Sequence, residues 1–322
     1  MKMPFGKINS KYRRSINVVY AFIIILGLFI ASSPRVFLKA DIYSAVFTTA
    51  PIIIILTLSL VFVIASGEID LSFGSVVGVA GLLFAYVTQW TNNPYLGLMA
   101  CMLAGVACGL VNGLLITKLR LSSLISTLGM MFLLRGLVMI ITEGRGVPMF
   151  QVADSNFYKI IVGKVGIFPV QIFWAIGFAV VMWFLFNRFR FGSHVRFIGD
   201  NRASAKEMGV NIDRTVLYTF CLVGLAASFA AVLSAMINMN YWPNVGDGYL
   251  LIALAAVFLG GTPTWGGVGT IFGAFLGALI ISFLEAGIIA AGLTGFYTKF
   301  VYGLIIILAI IGHRFGSERR RI

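Results

Sequence analysis

The sequence predicts an all-α, polytopic membrane bundle of about ten transmembrane helices with discontinuous segments. Two observations carry that reading. Sixty per cent of the 322 residues are hydrophobic and 11 per cent are charged, against about a quarter charged in an average soluble domain. The charges that remain fall in the gaps between long apolar runs, where they report orientation.

Apolar runs place spans at 16–32, 46–66, 71–89, 96–117, 121–142, 167–186, 216–237, 250–264, 268–286 and 296–311. Each is close to the length that a hydrocarbon core of about 30 Å requires of a helix. The domain plan is a tail over 1–15, a transmembrane domain over 16–312 with a large inside loop over 188–214, and a tail over 313–322. Lys2, Lys7, Lys11, Arg13 and Arg14 precede the first run, and Arg314, Arg319, Arg320 and Arg321 follow the last. Threading the chain back and forth puts both tails, the Lys118–Arg120 turn and the basic 188–214 loop on the cytoplasmic side. The first run ends in Ala31, Ser32 and Ser33, and Pro34 directly after them favours a retained signal anchor over a cleaved peptide.

A net charge of +13 would suggest nucleic acid in a soluble protein, but here the positive-inside pattern accounts for it and no nucleic-acid partner is expected. Cys101, Cys108 and Cys221 lie in apolar runs without metal-ligand spacing and read as small core residues. His194, read as a loop residue, and His313 have no partner set, so no metal site is expected. The chain carries no GxxxxGK[ST] loop, HExxH or GxSxG, which leaves transport rather than catalysis.

Two stretches interrupt apolar sequence with glycine and polar residues: VIASGEIDLSFGSVVGVAG, Val63 to Gly81, and FLGGTPTWGGVGTIFGAFLGA, Phe258 to Ala278. Broken helices are tolerated in a bilayer only where they are buried or line a cavity, and they mark translocation paths. One of the two could be re-entrant. Their likeness suggests an internal repeat, but the threading gives both the same orientation, unlike an inverted pair of halves. Small residues four apart, at Gly105, Gly109 and Gly113 and at Gly269, Gly273 and Gly277, predict close helix packing.

In the inside loop, Phe191 to Thr215, a short helix is expected around Ala203 to Met208, capped by Asp200 or Asn201 and ended by Gly209. Asp70 and Ser72 read either as gate residues of the first broken helix or as caps of the span that follows. Gly260, Gly261 and Thr262 mark the second break. Glu68 reads as solvated surface. Arg135 and Glu285 are expected to pair with each other or with backbone carbonyls, because an unpaired charge in lipid is costly. By donor chemistry alone Asn112, Ser126 and Thr127 are candidates for a polar path. The segment 143–166 is the longest outside loop.

The three polar motifs together resemble a known family. GEIDLSFGS at Gly67 to Ser75 resembles the GGIDLSVGS motif of ribose-type permease subunits of bacterial ATP-binding-cassette importers. IGDNRASAKEMGVNIDRT resembles that family's GGNxxAAxxxGIN segment, and LGGTPTWGGVGTIFGAFLGALI its LGGTSLxGGxGxIxGTxxGALI segment. Glu68 stands where the family usually has Gly, and GYLLIALAAV lacks the acids of the usual GYELDAIAAV. The resemblance implies a type II-like permease fold in the bacterial cytoplasmic membrane. It implies cytoplasmic ATPase subunits that bind ATP and Mg, an outside sugar-binding protein, a second permease subunit, either a copy or a homologue, and lipid around the pair. The chain itself would need no cofactor. The resemblance also implies that Asn201, Ala203, Ser204, Ala205, Met208, Gly209 and Val210 form the segment that docks on the ATPase. A nucleoside or sugar-like signal as cargo, and a stand-alone secondary transporter, are the alternatives.

Overall fold

A computed structural model describes residues 10–318, with side chains described over 18–311. Lys2, Lys7, Arg319, Arg320 and Arg321 of the two tails lie outside the described residues. The chain is an integral membrane protein built of helices.

In chain order the helices are α1 (Ser10–Ser32), α2 (Pro34–Phe37), α3 (Ala40–Ala65), α4 (Phe73–Thr91), α5 (Pro94–Thr117), α6 (Ser123–Thr142), α7 (Asn156–Val162), α8 (Val170–Asn187), α9 (Arg190–Asp200), α10 (Arg202–Glu207), α11 (Ile212–Asn238), α12 (Tyr249–Leu259), α13 (Ile271–Ala290) and α14 (Phe296–Glu318). Among the described residues seven of these, α3 to α6, α8, α11 and α13, are long and apolar enough to cross a membrane; Val18–Ser32, Tyr249–Leu259 and Phe296–Ile311 are shorter apolar helices. Those ten segments overlap the ten apolar runs of the sequence, the eighth over its first part only.

α3 is apolar on every side and is buried from Ala50 to Ala65, as expected of a helix surrounded by others. α11 packs beside it and against α5. The small-residue ridge of α5 explains that contact. A methyl at Gly105 would lie 2.2 Å from the Gly224 carbonyl oxygen, and one at Gly109 would lie 2.3 Å from that of Phe220. Without side chains there, the two backbones meet directly. Asparagine and threonine side chains cap the starts of several helices: Asn93 accepts from the Tyr95 amide at 3.0 Å, Asn211 from Arg214 at 3.0 Å, and Thr270 from Gly273 at 2.8 Å.

Both ends of the bundle are defined by contacts between distant loops. At one face Arg120, after α5, pairs with Asp213 at 3.0 Å, and the Gly267 amide donates to the Ala65 carbonyl at 2.9 Å. At the other face β1 (Val147–Pro148) pairs antiparallel with β4 (Asn240–Tyr241), and β2 (Lys164–Val165) with β3 (Phe168–Pro169). The segment 143–166, read from sequence as a plain loop, is thus a small structured cap of short strands and α7.

Three expectations change. The eighth span, expected over 250–264, is helical only over Tyr249–Leu259. Eleven residues rise about 16 Å, half the hydrocarbon thickness. His194 lies on α9 rather than in a loop. A second break also appears that the sequence reading did not place: α11 and α12 are separated by 239–248 at the face of the β1–β4 pair, as α3 and α4 are by 66–72 at the face of the Gly267–Ala65 contact.

Substituting Gly109→Ala should lower the stability of the purified chain by about 1–3 kcal/mol, because its methyl would meet the Phe220 carbonyl. Gly136→Ala, with nothing within 4 Å of its added carbon, should leave the melting temperature unchanged or raise it by the helix-propensity gain of about 1 kcal/mol. Thermal unfolding in detergent separates the two.

Candidate functional site

The site is built where the two interrupted helices meet. After α3 ends at Ala65 the chain runs without helix to Ser72, and its backbone donors need partners that are not water. α6 supplies them. The Ile69 amide donates to the Ser123 hydroxyl at 3.2 Å and the Leu71 amide to the Thr127 hydroxyl at 3.1 Å. Ser123 and Thr127 stand one helical turn apart, so their spacing matches alternate amides of an extended strand.

Asp70 closes the segment. Its Oδ1 accepts from both the amide and the hydroxyl of Ser72, each at 2.7 Å, and the carboxylate is 3% exposed. Ser72 Oγ in turn accepts from Asn112 Nδ2 at 2.7 Å. Asn112 lies five residues before the end of α5, so Ser72 sits about 8 Å inside the bundle. The structure therefore brings Asp70, Ser72, Asn112 and Thr127 together. Ser126 is not part of this group, since its hydroxyl bonds back to the Ser122 carbonyl at 2.8 Å. Asn112 Oδ1 is buried without a partner among the described residues.

From the opposite face a second non-helical segment enters, residues 239–248, a short strand at Asn240–Tyr241 followed by turns from Pro243 to Gly248, and it was missed in the sequence although Pro243, Gly246 and Gly248 punctuate it. The Tyr241 hydroxyl donates to the Gly78 carbonyl at 2.9 Å. Arg135 of α6 holds the segment by three contacts: Nη1 to the Pro243 carbonyl at 2.6 Å, Nη2 to the Val245 carbonyl at 3.1 Å, and an ion pair with Asp247 at 2.6 Å. Arg135 thus takes the carbonyl partners expected of it, with Asp247 rather than Glu285 as its counter-charge. Glu285 accepts from the Tyr302 hydroxyl at 3.2 Å instead. The two broken segments touch at Gly74 and Gly246, where a methyl on Gly246 would fall 2.0 Å from the Gly74 carbonyl oxygen.

A platform of glycines lies beneath the first break. A methyl on Gly199 of α9 would fall 1.9 Å from the Ala65 carbonyl oxygen and 2.4 Å from the Gly267 amide. Gly67, Gly266 and Gly267 all have positive φ, which a side chain disfavours. The α12–α13 turn, with Gly260, Gly261 and Thr262 at its start, reaches this platform rather than the Asp70 cluster. Glu68 is corrected here: its carboxylate is 8% exposed and forms an ion pair with Arg202 at the start of α10.

α10 hangs from the platform. Asn201 Oδ1 accepts from the Ser204 amide at 3.0 Å, and Gly209, with φ +78°, ends the turn. Ala205 and Val210 are buried, whereas Asn201, Ala203, Ser204, Met208 and Gly209 are exposed. A short capped helix with an exposed methionine on a rigid base offers a docking surface. α9 was the unread part of this loop. Its period-3.6 pattern, with Val195 and Ile198 buried, was available in the sequence but masked by its basic residues.

Residues 42–310 match the family described as Branched-chain amino acid transport system / permease component. The chain is 30% identical over 293 residues to the ribose import permease protein RbsC of Escherichia coli K12, covering 90% of this chain and 91% of that one. It is 30% identical over 296 residues to the D-allose transport system permease protein AlsC of Escherichia coli K12, covering 92% and 90%. It is 34% identical over 270 residues to the L-arabinose ABC transporter permease protein AraH of Azospirillum brasilense, covering 83% and 78%. No solved structure matches the chain.

Arg202→Gln should lower stability more than Glu68→Gln, because it strands a buried carboxylate whereas the reverse leaves a half-exposed guanidinium in water. The double variant should lose less than the sum of the two. Thermal unfolding of the four proteins gives the cycle.

Proposed function

The chain belongs to the family of branched-chain amino acid transport system permease components, and we propose that it is the membrane permease subunit of an ATP-driven importer of a monosaccharide. It is a transporter subunit rather than an enzyme. Relatives named for ribose, allose and arabinose, matched over 83% to 92% of the chain, carry this reading.

In this reading α9 and α10 are the handle for a cytoplasmic ATPase subunit, which binds ATP and Mg. The docking residues are Asn201, Ala203, Ser204, Met208 and Gly209, with Ala205 and Val210 seating the helix from below. Nucleotide can drive transport only by favouring one arrangement of the bundle over another, so the handle must be stiffly joined to the moving parts. The Gly199–Ala65 contact and the Glu68–Arg202 pair supply that joint, and the Asp70–Ser72–Asn112 cluster with Ser126 and Thr127 beside it forms the inner gate. Gly260, Gly261 and Thr262 form the turn that couples α12 and α13 to the same platform. The permease works as a pair, in the bacterial cytoplasmic membrane with both termini in the cytoplasm. A sugar-binding protein docks outside on the cap over 143–166.

Met208→Asp and Ala203→Arg should abolish co-purification with the partner ATPase and cut ATP-driven sugar uptake in vesicles more than tenfold, while the permease itself stays folded. Uptake and assembly that survive both changes would refute the handle. Ion-gradient uptake by the lone chain would favour a secondary transporter instead.

Charge reversals at Lys159 and Lys164 in the outer cap should weaken the stimulation of ATP hydrolysis by sugar-loaded binding protein. Undiminished stimulation would move the docking face elsewhere.

A further inference from the structure

A groove of about 560 Å³ runs between the C-terminal half of α8 and the first turn of α13. It belongs to neither broken segment. Every residue along it is apolar, with Ile176, Val180, Trp183 and Phe184 on α8 and Phe272 and Phe275 on α13. All of these except Phe275 are exposed, so the groove opens sideways, toward hydrocarbon.

Its depth is that of one leaflet. From Ile176 to Phe184 α8 rises about 12 Å, against about 15 Å for half of a hydrocarbon core. α8 ends at Asn187 and α13 begins at Ile271, and both ends lie at the face of α10, because α9 follows α8 and Gly267, just before α13, packs against Asp200 at the end of α9. The groove therefore starts just below that surface and stops near the middle of the bilayer.

The head of the groove is cationic. Arg188 directly follows α8, and its guanidinium lies 5.8 Å from the centre of the Trp183 ring, which joins the charge to the apolar wall. Between Arg188 and Arg196 the chain carries three arginines and no acid. Arg196 is turned back on its own helix, where Nε donates to the Gly192 carbonyl at 3.2 Å. Arg188 and Arg190 are exposed, and neither is in an ion pair among the described residues. A basic pocket at the end of an apolar groove between spanning helices has the chemistry of a lipid headgroup site.

A helix of another protein is a poor occupant. Helices pair in lipid through small residues that let their backbones close, whereas bulky aromatic side chains wall this groove, and Gly273 and Gly277 of α13 already pack against α12. A flexible acyl chain can lie between such walls. We propose that the groove seats an acyl chain of one anionic phospholipid, from the leaflet at the face of α10, with its phosphate on Arg188 and Arg190. A zwitterionic lipid offers the same chain but brings a cation toward the two guanidiniums, so headgroup charge decides the occupant. The site depends on the membrane-spanning fold alone and stands whatever the cargo.

The full-length protein in phosphatidylcholine vesicles tests this, with increasing fractions of either phosphatidylglycerol or phosphatidylcholine brominated on an acyl chain to quench tryptophan emission on contact. Of the emission from five tryptophans, the part that Trp183→Phe removes reports the groove. That part should be quenched at a several-fold lower fraction of the brominated phosphatidylglycerol. Arg188→Gln should cut the preference about fivefold, the share of one basic residue near an anionic headgroup, Arg188→Lys should keep it, and Arg188→Gln with Arg190→Gln should level the two lipids. Equal quenching in the wild type would reduce the occupant to ordinary surrounding lipid and overturn the site. So would a preference that survives the double variant, which would put the headgroup elsewhere, or emission that neither lipid quenches, which would report a protein over the groove.

Discussion

Inside a bilayer, every backbone amide that leaves a helix must find another partner, and this requirement shapes the molecule around its two breaks. Between Ala65 and Phe73 the partners are hydroxyls and a carboxylate: Ser123, Thr127 and Asp70. Between Asn238 and Tyr249 the carbonyls are held by Arg135. Both sets include α6, although that helix is the least buried of the seven long spans. Its polar residues are on it because the breaks need them, and its exposed apolar face, with Phe132, Leu133 and Ile140, is left for lipid or a second subunit.

A different economy governs the rest of the bundle. Lipid tails are as apolar as leucine, so helices gain little from merely burying apolar surface and hold together by close packing. Gly105 and Gly109 against α11, and Gly273 and Gly277 against the α12 carbonyls of Gly260 and Ala256, are that packing. The same device at Gly199 fixes α9 to the end of α3. Glycine thus does two jobs here: it joins helices along their length, and it builds a stiff floor under the first break.

The sequence exposed the parts of the fold that depend on composition and local chemistry. Ten apolar runs became ten apolar helices, Asn201 and Gly209 bounded a short helix, and the small-residue ridge packed. It concealed what depends on distant partners. Glu68 reads as surface because a carboxylate beside two loops ordinarily is; only the fold shows Arg202, 134 residues away in sequence, over it. Arg135 and Glu285 look like natural partners as opposite charges in a bilayer, yet Arg135 is claimed by Asp247 and two carbonyls from a segment that ordinary turn residues disguise as a loop.

The two breaks meet because α3 delivers its own from the face where α10 lies and α11 delivers its own from the opposite face, so Gly74 and Gly246 touch at a point reached from both. Neither residue carries a side chain to interlock, and the contact resists compression but not sliding. The anchors differ in kind. The first segment is bonded to α6 by two hydroxyls and to the floor by the Glu68–Arg202 pair, whereas the second is held by the Arg135 guanidinium, whose counter-ion Asp247 is 60% exposed, by the Tyr241 hydroxyl on the Gly78 carbonyl and by the β1–β4 pair. α9 and α10 are thus tied through the floor to the first segment by the Gly199–Ala65 contact and the Glu68–Arg202 pair.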